Sequence, residues 1–344
     1  MVSKWWYSAA MKIDAPLTTD MRRVGAHAAE LESLGYDGAR LAELNHEPFM
    51  PLAIAAEHSE KIELVTSVVV AFARNPMTLA QAAHDLNAFA AGRLVLGIGS
   101  QVKPHIEKRF SMPWHKAAAQ MREFIQAMNA IYDCWYDGAR LEFEGEYYRH
   151  TLMPATFTPQ NIQGTRPRIA LSATGPLMTK VAAETADGMI MHPFSTERYM
   201  REVTLPAINE GLAKRGKSLD DFQLDYAPML AVGETDEALE RAVDHIRGRI
   251  AFYGCTVAYR PVLELHGWGA LQDELIPLNR AHRQDDMAAL ISDEILQTIA
   301  IIGKPADVVE QMKSRLGDVI HRTSIAFAEL SAETTAEMLS RLRS

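Results

Sequence analysis

Short apolar, β-branched runs alternate along this chain with longer stretches whose apolar positions recur at helical spacing. The first strand is predicted to end near Met11–Asp14, before a helix over 19–34 that Gly35 closes. Further strands are predicted at 37–43, 62–70, 94–99, 168–173, 188–191, 222–232 and 322–328. Helices are predicted at 48–58, 76–91, 116–136, 177–186, a stretch reaching about 214, a stretch from 235 with an acidic first turn, 305–316 and 331–341. Two segments break the rhythm. In 137–165, Leu141–His150 around Gly145 reads as a β-hairpin, and 254–297 fits no strand–helix unit.

Eight strand–helix units in one chain argue for the α/β class and a (β/α)8 TIM barrel. The barrel is read as a single domain over 1–344, with insertions at about 137–165 and 254–297. The nearly continuous apolar strands fit a parallel sheet covered on both faces, with a doubly wound open sheet as the alternative.

Composition narrows the function classes. The 344 residues carry a net charge of −9, so no basic surface calls for nucleic acid or an anionic membrane. Cys134 and Cys255 are far apart and form no CxxC pair, which argues against a thiolate metal site or a disulfide scaffold. No apolar run reaches spanning length and no signal-peptide pattern opens the chain, so a cytoplasmic location is expected.

In a barrel, chemistry gathers where strands end. Strand two offers Glu43, Asn45 and His46; strand three offers Ser67, Val68 and Val70, then Arg74. The fourth runs Gly92-Arg-Leu-Val-Leu-Gly-Ile-Gly-Ser100, where glycines let a flat ligand approach the backbone, and then offers Gln101 and His105. The fifth ends in Ser172-Ala-Thr-Gly-Pro176, a strand-to-helix turn able to present N–H groups to a phosphate; its blander reading is a tight turn needing Gly175. Asp14, His192 and Glu329 complete the tips.

His46 is the favoured acid–base group, because histidine exchanges protons near neutral pH; otherwise it caps the helix that Pro48 starts. Gly97-Ile-Gly99 is not a dinucleotide fingerprint, since its third glycine would fall at Val102. No metal-ligand spacing is present, and no metal is expected. Tyr253–Glu264 and His266–Gly269 concentrate aromatics and glycines, as a lid, a pocket wall or an oligomer interface would.

These motifs occur together in one family. Gly35-Tyr-Asp-Gly-Ala-Arg-Leu-Ala-Glu-Leu-Asn-His46, Thr66-Ser-Val68, the Gly92–Ser100 run, Ser172–Pro176 and Ala186-Asp-Gly188 follow in the order seen in luciferase-like monooxygenases. Within that superfamily the chain resembles the coenzyme F420-dependent oxidoreductases.

The resemblance implies a deazaflavin in the barrel mouth, with FMN and oxygen chemistry as the alternative and non-catalytic deazaflavin binding as a third reading. It implies a non-prolyl cis peptide at Ser67-Val68, a phosphate loop at Ala173, Thr174 and Gly175, and His46 as catalyst beside Asn45. Val70, Gly99 and Gln101 are the remaining expected cofactor contacts. The sugar-phosphate dehydrogenase branch carries a glutamate where this chain has Val102, which argues against that reaction here. A small organic substrate and a homodimer are the expected partners.

Overall fold

The computed structural model describes residues 11–160, 164–325 and 330–343. Its strands are β1 (Lys12–Pro16), β2 (Gly38–Leu41), β3 (Glu63–Thr66), β4 (Val69–Val70), β5 (Leu94–Gly99), β6 (Phe143–Glu144), β7 (Arg149–His150), β8 (Arg168–Ala173), β9 (Gly188–Met191), β10 (Gln223–Tyr226), β11 (Met229–Val232), β12 (Ala300–Gly303) and β13 (Arg322–Ser324). One sheet runs β3-β2-β1-β13-β10-β9-β8-β5-β4, and β3 pairs also with β5, so the order returns to its own start. This is the parallel (β/α)8 barrel that the alternation of apolar runs predicts.

The chain separates into two compact units. One comprises Ala15–Ser172 and Lys180–Ile190. Here β2 and β5 are buried at every position, as strands covered on both faces must be. Val65, Val95, Ala170 and Ile190, from β3, β5, β8 and β9, form one packed layer, with Val68 against it. Helix Ala117–Asp137 buries one stripe that includes Phe124, Met128, Ile131 and Trp135, then ends at Gly138 in the left-handed conformation. The hairpin expected around Gly145 is present as antiparallel β6 and β7.

The other unit contains Asp14, Ala173–Thr179 and the chain from Met191 onward. Its main core gathers Phe194, Tyr199, Met229, Ile250, Leu263 and Leu275 with their neighbours. The 254–297 segment is helical, with helices Arg260–Leu265, Gly269–Arg280, Gln284–Ala289 and Asp293–Ile299. It is fastened down rather than loose. The His266 imidazole lies 2.8 Å from the Thr196 hydroxyl, and Arg198 donates to the Leu265 carbonyl.

Two strand predictions need correction. The stretch 222–232 is two strands, β10 in the main sheet and β11 paired in parallel with β12. Pro228 lies between them and has no N–H to carry a ladder onward. The stretch 62–70 is likewise divided into β3 and β4, at Ser67-Val68. In the predicted strand 322–328, Arg322–Ser324 form β13, while residues 326–328 and the strand-end candidate Glu329 lie outside the described residues.

Candidate active site

The loop after β2 carries Glu43, Asn45, His46 and Glu47, and five hydrogen bonds fix it. The Glu43 carboxylate, only 10% exposed, accepts the Val70 N–H at 2.7 Å and Arg74 Nη1 at 2.6 Å. Arg109 Nη2 donates to the Leu44 carbonyl at 2.6 Å. Glu47 accepts the N–H groups of Phe49 and Met50, at 2.8 and 3.1 Å. Glu47 therefore does the capping that was the alternative role for His46. Asn45 and His46 both stand exposed between these anchors.

The Ser67-Val68 peptide is cis, as the resemblance implied. Arg40 donates to the Ser67 hydroxyl at 3.3 Å, and the Glu43 N–H donates to the Val68 carbonyl. The β2 loop and the turn between β3 and β4 are thus joined through both the backbone and the carboxylate of Glu43. Val70 is buried, and its N–H is committed to Glu43.

The glycines of β5 have a packing reason that the motif alone did not reveal. A Cβ on Gly97 would overlap the Thr66 carbonyl oxygen, and a Cβ on Gly99 would lie 2.8 Å from Val68 Cγ2. Thr66 Oγ1 also donates to the Gly97 carbonyl at 2.7 Å. At Gly97, therefore, protein backbone and not a ligand claims the missing side chain's space. Gln101 follows with φ 59, and its side-chain oxygen accepts the Val102 N–H. His105 is exposed.

In the other unit, Ala173 is buried and Thr174 half-buried. Gly175 has φ 75, and a Cβ placed there would meet no atom within 4 Å. It leads into helix Pro176–Thr185, whose first turn has N–H groups without helical acceptors. The turn thus has both features weighed from sequence, helix-start N–H groups and a backbone that favours glycine, and the structure adds open space at Gly175. Together they suit a phosphate.

His192 follows β9 and is enclosed by aromatics. Its ring stacks on Tyr259 with centroids 4.3 Å apart and meets Tyr253 edge-on at 4.8 Å. Its Nδ1 accepts the Phe194 N–H, so the proton of the neutral ring sits on Nε2. Burial, helped by the Arg249 cation, pushes this imidazole down to about 4, so it stays uncharged at neutral pH. The aromatic run 253–259 is accordingly a wall packed on His192.

Glu43 and Arg74 were visible as strand-end residues, but their pairing spans 31 positions and no local pattern announces it. Arg109 gave no sequence signal.

The chain is thus a parallel (β/α)8 barrel with a cluster of polar groups held on the loop after β2. The family model for luciferase-like monooxygenases matches residues 5–321, and the chain belongs to that family. An uncharacterised protein of Mycobacterium tuberculosis is 43% identical over 323 residues, covering 94% of this chain and 95% of its own. The 5,10-methylenetetrahydromethanopterin reductase of Archaeoglobus fulgidus is 31% identical over 276 residues, covering 78% of this chain and 77% of the reductase. Among solved structures, the coenzyme F420-dependent tetrahydromethanopterin reductase from Methanopyrus kandleri superimposes with a TM-score of 0.76 at 19% identity, covering 96% of each chain, and shares the fold.

Proposed function

We propose that the protein is a coenzyme F420-dependent oxidoreductase in which His46 is the acid–base group. The observation that carries this reading is His46 itself: exposed after β2, with capping done by Glu47, on a loop that Glu43 and Arg109 hold in place. A relative from Mycobacterium tuberculosis named as a putative coenzyme F420-dependent oxidoreductase, 27% identical over 304 residues, supports the choice of cofactor.

The residues present fit a phosphate-bearing deazaflavin, because Gly175 faces open space directly before a helix start. Ala173, Thr174 and Gly175 would hold the phosphate. Ser67, Val68 and Gly99 would line the ring, with Asn45 and Gln101 as polar neighbours. Bound there, the deazaflavin supplies a carbon, C5, that exchanges a hydride with a small organic substrate. His46 gives or takes the proton that balances the hydride on the substrate's heteroatom. Glu43 and Arg74 keep the His46 loop in register with the turn after β3, so the proton is moved from a fixed position.

Fluorescence titration of the purified protein with F420 and, separately, with FMN tests the reading. Binding of F420 at micromolar concentration or below, with little FMN binding, is the expected outcome. The opposite preference assigns the protein to flavin-dependent monooxygenation, and binding of neither removes the proposal.

A further inference from the structure

Helix Asp236–Gly254 contains a glycine that its own geometry does not explain. Gly248 sits at mid-helix, where glycine costs about 1 kcal/mol relative to alanine. Helical glycines ordinarily make room for a neighbour, as Gly254 does for Leu275 Cδ1, 2.7 Å from where its Cβ would be. A Cβ on Gly248 would meet nothing within 4 Å. Gly248 instead lines an open-sided cavity of about 340 Å³ between this helix and the helices Gly269–Arg280 and Gln284–Ala289.

The cavity has a definite chemistry. Phe252, Tyr253 and Met287 give it apolar walls, and Phe252 is 60% exposed there, unusually open for a phenyl ring. Arg249 is half-buried beside Gly248, with its guanidinium carbon 6.0 Å from the Tyr253 ring centre. It makes no ion pair among the described residues. A partly desolvated guanidinium beside aromatic walls favours a flat anion that stacks on a ring while its carboxylate meets the guanidinium fork. Asp244 also lines the cavity but is exposed, where solvent and salt screen its charge.

We propose that this cavity is a binding site for small aromatic carboxylates, separate from the His46 loop, with Gly248 as its floor and Arg249 as its anion anchor. The volume suits a single-ring ligand. The proposal holds whichever cofactor the protein uses.

Calorimetric titration of the full chain with 4-hydroxybenzoate tests it, with 4-hydroxybenzamide as the uncharged counterpart. The benzoate is expected to bind once per chain with a Kd of about 0.1–1 mM, and the amide at least about tenfold more weakly. Arg249→Gln removes the preference for the anion. Gly248→Leu fills the floor and weakens binding at least about tenfold, while thermal melting stays at or above the wild-type temperature because the helix gains a better former. Gly248→Ala, which adds only a methyl group, gives the same signs with smaller size. Absence of benzoate binding overturns the proposal, as does binding that survives both Arg249→Gln and Gly248→Leu.

Discussion

At the scale of single residues, two histidines of this barrel have opposite surroundings and opposite expected behaviour. His46 is exposed and structurally unburdened, since Glu47 caps the neighbouring helix. His46→Ala should therefore leave melting temperature and F420 affinity unchanged and lower turnover about a hundredfold or more, as read from steady-state kinetics. Unchanged turnover would end its role in proton transfer. His192 is held neutral, with its imidazole pushed down to about 4. In the unfolded chain it titrates near about 6.5, so the unfolded state binds more protons between those values. Stability is then greatest above that window and falls as pH drops through it, by about 3 kcal/mol for this group in full. His84, His150, His266 and His321 are lowered by burial in the same direction. His192→Phe keeps the stack on Tyr259, and urea unfolding between pH 4.5 and 7 should show a shallower dependence than wild type. Sequence placed both histidines after strands and favoured His46, but it could not foresee the enclosure of His192, because the Tyr253 and Tyr259 rings lie more than sixty residues along the chain.

At the scale of elements, the instructive contrast is between glycines that make room for protein and those that leave space open. Gly97 belongs to the first kind, with the Thr66 carbonyl in its side chain's place. The motif looked like a cofactor signature from sequence, because the identity of the neighbouring strand's atoms is not written locally. Gly175 belongs to the second. Its φ of 75 costs any other residue about 1 kcal/mol, so Gly175→Ala and Gly175→Asp should both melt earlier by a similar amount. They should part in the F420 titration: alanine leaves affinity nearly intact, whereas aspartate sets a negative charge against the phosphate and weakens binding about tenfold or more. Equal affinities for the two variants would take this turn out of the cofactor site. Boundaries of elements were legible where a local cap decides them, as at Gly35 and Pro76. They were missed where pairing decides them: β12 was not anticipated, since Ala300-Ile-Ile-Gly303 is a strand only because β11 lies beside it.

At the scale of the whole molecule, the barrel was legible because eight buried parallel strands need eight apolar runs, and little else produces that count. What no run of residues discloses is how the first strand meets the last. Asp14 of β1 and Arg322 of β13 are both fully buried and bonded twice, Nε to Oδ2 at 2.7 Å and Nη2 to Oδ1 at 2.6 Å. Removing one partner strands a charge away from water, so Arg322→Met should cost about 3–5 kcal/mol in denaturant unfolding. The Asp14→Leu, Arg322→Met pair should cost less than Arg322→Met alone. A double variant no more stable than that single one would show that the two charges are not coupled. The pairing also has a consequence in time. The partners are 308 positions apart, and at ribosomal rates β1 leaves the tunnel roughly 15–60 s before β13 exists. Strands β2, β3 and β5 can register with one another long before that. Throughout synthesis Asp14 waits as a solvated carboxylate on a strand without its later neighbour, and the nascent chain holds one polar, water-bound edge until its final segment emerges.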